Sequence, residues 1–164
     1  MTNQILTDLF ERLSQAVHGA VKGLSEHDLA FRPEENANSI AWLVWHLTRV
    51  QDDHIAELMK QEQIWTAKKW HQEFELPFDD DATGYGHSSQ EVAMVQASEA
   101  LLTGYYDAVH KRTVDYIKTL TDKDYDKIVD PSWDPPVSLR VRLVSIINDD
   151  LQHAGQAMYV RGLL

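Results

Sequence analysis

A chain of 164 residues, 43% hydrophobic and 25% charged, has the composition of a globular protein and enough length to bury a core. Its formal net charge of −11, with no basic cluster beyond Lys68-Lys69 and Arg140/Arg142, argues against nucleic acid and anionic lipid as partners. The absence of cysteine excludes disulfides, a protein thiolate nucleophile and any Cys-held zinc or iron–sulfur centre, so thiol chemistry here needs a thiol carried in by a substrate.

No stretch approaches the roughly 20 apolar residues that cross a bilayer. The opening MTNQILTDLFERL lacks a cationic segment ahead of an apolar run, and a cytoplasmic protein is expected.

From the N-terminus, Ile5, Leu9, Leu13, Ala16, Val17 and Ala20 recur at three or four residues and predict a helix over about 2–21. Gly23 interrupts it, Ser25-Glu-His-Asp28 reads as the start of a short turn, and Pro33 ends that turn. A second long helix should open at Asn38 or Ser39 and run to about Gln61, with Ile40, Leu43, Val44, Leu47, Val50, Ile55 and Leu58 as its apolar positions.

A polar connection follows from about Glu62 to His87, long enough to suggest a lid or binding loop. Ser88 and Glu91 form a capping-box pattern, from which one helix of about thirty residues should reach Leu120, with Gly104 as its weak point. Another short turn is expected at Thr121–Asp124, and the prolines at 131, 135 and 136 mark an irregular loop. The last helix should span about Ser138 to Gly162. No strand is evident, no repeat appears, and residues 1–164 read as one all-α domain, a four-helix bundle with one or two long crossover loops.

Bundle interiors are apolar, so polar residues within an apolar stripe carry information. In the last helix the stripe Leu139, Leu143, Ile146 continues to Ala157 and Val160 through Asp149-Asp150 and His153. Asp149 and His153 stand four positions apart, about 40° around the axis, so both side chains can converge on one point. Asp150, three positions before His153, competes for the same role. His46, flanked at one turn by Trp42, Leu43 and Val50, supplies a third ligand from the second helix, and Asp53 falls within roughly 20° of it. Two imidazoles and a carboxylate suit Zn²⁺ first, with Ni²⁺, Fe²⁺ or Mn²⁺ as alternatives, and three protein ligands leave a coordination position for water or substrate.

The segments Ser39-Ile-Ala-Trp-Leu-Val-Trp-His46-Leu and Asp149-Asp150-Leu-Gln-His153-Ala-Gly-Gln156-Ala-Met-Tyr-Val-Arg161-Gly162 resemble the DinB-like, damage-inducible helical bundle superfamily. That superfamily includes the mycothiol-dependent maleylpyruvate isomerase N-terminal domain and the bacillithiol S-transferases. The resemblance spans the whole chain. It implies a metal triad at His46, Asp149 and His153, with an aspartate at 149 where many relatives carry Glu or His. It further implies a divalent metal that activates a low-molecular-weight, mycothiol-like thiol toward a small electrophile, in transfer or isomerisation. A non-catalytic bundle that holds a metal, a small molecule or a protein is the alternative.

Two further residues are candidates for ligand binding. Trp133, held ahead of Asp134-Pro135-Pro136, could wall the pocket, and Arg161 of the terminal motif could meet a substrate carboxylate. A homodimer is expected, since such bundles commonly pair.

Overall fold

The computed structural model describes residues 1–164, and its frame is four long helices. These are α1 (Thr2–Val21), α3 (Ile40–Met59), α7 (Glu99–Thr119) and α8 (Leu139–Arg161), with short helices α2 (Glu26–Leu29), α4 (Ile64–Ala67), α5 (Trp70–Phe74) and α6 (Ser89–Met94) between them. Helix α8 packs between α1 and α3, and α7 closes the square by touching both α1 and α3. One continuous apolar cluster fills the middle, from Phe10 and Leu13 through Leu47 and Tyr106 to Leu143 and Ile146. The all-α bundle with long connections is therefore the architecture.

Local chemistry sets the element ends. Ser39 starts α3 by accepting a hydrogen bond from the Trp42 amide, and complete capping boxes at Ser25/Asp28 and Ser88/Glu91 start α2 and α6. The long connection after α3 is more ordered than its polarity predicts. Trp65 and Phe74 are buried, and they fold α4 and α5 down onto α7, because large aromatic rings gain most from leaving water.

Three expectations are corrected. The thirty-residue third helix is two helices, α6 and α7, broken at Val95–Ser98. Val95 and Ala97 turn inward there, and Ser98 caps α7 by accepting from the Leu101 amide. Gly104 is not the weak point. It lies inside α7 with the Trp70 ring against it, where an added Cβ would stand 2.8 Å from that ring. The proline-bearing loop also closes a short antiparallel ladder, Ile128–Asp130 (β1) with Val137–Ser138 (β2), ahead of α8. Two or three residues per strand were too few to leave a periodic signal.

Helix α3 is buried almost all round from Ile40 to Asp52, including Arg49, Gln51 and Asp52. The segment 62–87 covers the side of α3 that the bundle leaves open. That wrapping places a loop directly over the metal-ligand candidates.

Candidate metal centre

His46 projects from α3, and Asp149 and His153 project from α8, where the two helices pack together. One potential ligand atom from each of the three lies within 4.8 Å of the others. Two atoms bonded to one zinc are separated by at most about 4.2 Å, so a small closing of the three side chains brings them onto one ion. The His46 and His153 rings stand 4.8 Å apart, centroid to centroid, at 67°. His153 Nε2 is 3.6 Å from Asp149 Oδ1.

Each imidazole is oriented by its other nitrogen. His46 Nδ1 donates to the Thr83 carbonyl at 2.6 Å, and His153 Nδ1 donates to Gln156 Oε1 at 3.3 Å. These bonds leave both Nε2 atoms as lone-pair donors, the tautomer a metal needs, and they fix ring orientation in the manner of outer-shell partners in metal proteins. Asp149 Oδ2 is buried with no hydrogen-bond partner. A buried carboxylate oxygen without a donor is costly unless a cation satisfies it. The donor set therefore fits a divalent cation.

The surroundings hold His46 neutral. Burial pushes its pKa below the ordinary histidine value, and the Thr83 hydrogen bond only partly opposes that. A neutral imidazole is the form that binds metal. Trp42 stacks on His46 at 4.5 Å and 14°, and meets His153 edge-on at 6.2 Å. His87 accepts from Trp42 Nε1 at 3.2 Å and lies over Trp45 and Phe78, so it belongs to the aromatic wall that backs the site.

A cleft of about 300 Å³, lined by His46 and Asp149, opens between α3, α8 and the Thr83–Tyr85 turn, with Asp53, His54 and Ser145 on its rim. A larger cleft of about 470 Å³, bounded by Leu58, Tyr116, Leu120 and Leu139, contains none of the three.

Other candidates from the sequence fall elsewhere. Asp150 is fully buried and points into the bundle; the deepest stripe of α8 runs Ile146, Ile147, Asp150, Ala154, Ala157, with Asp149 and His153 on its shoulder. Burial drives the Asp150 carboxyl far up, with the charge of Asp149 adding to it. Asp53 lines the cleft, yet its Oδ1 accepts from Gln63 at 2.7 Å. Trp133 is 64% exposed on the loop between β1 and β2, and Arg161 donates to the Ala20 carbonyl at 3.1 Å, tying α8 to the end of α1. The structure does not bring Trp133 or Arg161 to the cleft beside His46.

Three contributors escaped the sequence reading. Gln156, three residues after His153, was visible as an i,i+3 partner. Gly84, at φ +94°, lies so close to His46 that a Cβ would stand 2.8 Å from Nδ1 and 2.9 Å from Trp45. The Gly-Tyr-Gly spacing hinted at a tight turn there. Thr83 acts through its backbone carbonyl, which no residue type announces.

Comparison with known proteins gives the family and the fold. A family model described as mycothiol-S-transferase matches residues 5–164. A crystal structure of a conserved protein from Enterococcus faecalis superimposes with a TM-score of 0.91 at 29% identity, over 98% of this chain and 95% of that one. No protein of curated function matches the sequence.

Proposed function

We propose, for a chain that belongs to the mycothiol-S-transferase family, a divalent-metal-dependent transfer of a low-molecular-weight thiol to a small electrophile. His46 and His153 through Nε2, with Asp149 through its carboxylate, would hold the metal, zinc ahead of nickel, iron or manganese. Once bound, the cation supplies Lewis acidity that lowers the pKa of a coordinated thiol, as it does for water.

The observation that supports this reading is the pair of imidazoles whose Nδ1 atoms are both occupied by oxygen acceptors, beside Asp149, whose Oδ1 stands 3.6 Å from His153 Nε2 and whose Oδ2 is buried without a partner. Three protein ligands leave a further position open, the pattern of a catalytic rather than a structural site. The chain's own residues do the rest. The Trp42 and Trp45 rings behind His46 keep water from that side, and the cleft past Asp53, His54 and Ser145 receives the body of the thiol. A protein without cysteine that uses a thiol would take it from a reduced small-molecule pool, and we infer the cytoplasm as the setting of the reaction.

The test is turnover. Protein loaded with one equivalent of zinc should conjugate a sugar-linked thiol to an alkylating electrophile, and His153→Ala should lose both metal and turnover. Full activity in that variant would refute the assignment. Metal uptake without turnover of any thiol would instead favour a non-catalytic metal-holding bundle.

We also infer a homodimer. Helix α8 carries a second stripe, Val141, Val144, Asn148, Leu151, Gly155 and Met158, at alternating three- and four-residue steps, exposed throughout. Met158 reaches Gly19 of α1, so the stripe continues onto a helix bearing exposed Ile5 and the Asp8–Arg12 ion pair. Such exposed apolar stripes mark interfaces.

A further inference from the structure

Arg49 is the one arginine of α3, one turn beyond His46, and its side chain is completely buried. A buried guanidinium persists only when its donors are taken up, because an unpaired charge in the interior is very costly. Here Nε donates to the Ala82 carbonyl at 3.0 Å, and Nη2 donates to the Asp80 carbonyl at 3.0 Å. Nη1 donates to Gln63 Oε1 at 2.6 Å and to the Tyr105 hydroxyl at 3.3 Å. The guanidinium lies 4.9 Å from the Trp65 ring centre and 3.9 Å from Asp52 Oδ2. Asp52 is itself anchored by the Ile64 and Trp65 amides and the Tyr105 hydroxyl.

Two of the four acceptors are carbonyls of the segment that leads into Thr83. That segment has no regular structure of its own, so these donations from α3 set where its backbone runs. The next carbonyl along, Thr83, takes the Nδ1 proton of His46. Arg49 and His46 thus grip the same turn from one helix face, three residues apart, as an i,i+3 pair does.

We propose that Arg49 is a positioning residue for the metal centre: by holding the Asp80 and Ala82 carbonyls it fixes the turn that presents Thr83 to His46, and so selects the His46 tautomer with Nε2 bare. This rests on the metal reading for its purpose, while the tautomer it selects is a property of the metal-free protein. A planar guanidinium is needed because its fork reaches divergent acceptors at once. A lysine keeps the charge beside Asp52 but presents a compact ammonium that cannot span both carbonyls and Gln63.

The experiment is nitrogen-15 NMR of the histidine rings in metal-free wild type and Arg49→Lys, followed by zinc titration of each. In wild type, His46 should show the Nδ1–H pattern. In Arg49→Lys it should become a mixture of tautomers or the reverse form, and zinc affinity should fall by roughly 10- to 100-fold, the effect of losing an outer-shell partner. An arginine that only braces the fold would lower the unfolding temperature yet leave the tautomer and the zinc affinity of the folded variant unchanged, and that result overturns the proposal.

Should Arg49→Lys not fold, the decision passes to wild type. The Arg49 Nε–H should then resist solvent exchange as strongly as core amides, whereas exchange as fast as that of exposed Arg12 overturns the proposal. Wild type that shows the Nδ1–H form but takes up no zinc would sink the metal reading alone.

Discussion

Gly84 and His46 are packed so closely that the glycine hydrogen stands where any other residue would place a carbon 2.8 Å from the imidazole Nδ1. Glycine is required twice over, since its φ of +94° is also one that L-residues avoid. Gly84→Ala should cost about 1–3 kcal/mol of stability and displace the Thr83 carbonyl from His46, weakening zinc binding. Chemical denaturation and zinc titration of the variant check both. An alanine variant of unchanged stability and affinity would show that the turn does not grip the ring.

Asp149 and Asp150 are adjacent in sequence and opposite in environment. Asp149 Oδ1 faces His153 at 3.6 Å, whereas Asp150 is fully buried with neither oxygen hydrogen-bonded. Asp149→Ala should lose more than about 100-fold in zinc affinity, beyond what an outer-shell partner contributes. Asp150→Asn should keep one equivalent of metal and stay as stable as wild type at neutral pH. Elemental analysis and thermal unfolding of the two variants decide between the neighbours, and loss of metal in Asp150→Asn alone would reverse the assignment.

That pair also shows how far the sequence could be read. Spacing put an aspartate and His153 on one face of the last helix and His46 on the inner face of another, because helix period and stripe position are set locally, while the family resemblance was what joined the three. Choosing between residues 149 and 150 needed the exact rotation of α8, since 100° of azimuth per residue separates a carboxylate at the cleft from one in the core. The break between α6 and α7 was hidden because Val95 and Ala97 keep the apolar rhythm going while Ser98 restarts the helix. Arg49 stood in plain view as a charge among apolar neighbours, but its partners are backbone carbonyls some thirty residues away, and backbone atoms leave no mark in a sequence.

Acid should weaken the turn that precedes β1. The Lys127 ammonium, 2.6 Å from Asp124, together with the hydroxyl and amide of Thr121, holds the Asp124 carboxyl well below the ordinary carboxylate range. A carboxyl whose pKa is depressed on folding contributes stability above its unfolded value, near 4, and loses it as pH falls through that value toward the folded one. Asp124→Asn should therefore flatten the stability curve between about pH 4 and pH 2. Parallel denaturation series of wild type and variant check this, and identical slopes would contradict it.

The exposed stripe on α8 predicts a particle twice the chain mass of 18.8 kDa. Leu151→Lys puts a charge at its centre and should give monomers of 18.8 kDa without loss of helix content. Light scattering on the two proteins reads the mass. Wild type that is monomeric at the concentrations of the experiment would remove the dimer.

The claim beneath all of this is that His46, Asp149 and His153 hold one ion together. Crystals grown from protein carrying one equivalent of zinc, measured on both sides of the zinc absorption edge, address it without any assay. One strong anomalous peak is expected, bonded at about 2.0–2.2 Å to Nε2 of His46, Nε2 of His153 and a carboxylate oxygen of Asp149. A peak that touches fewer than these three side chains, or lies elsewhere on the molecule, would contradict the account.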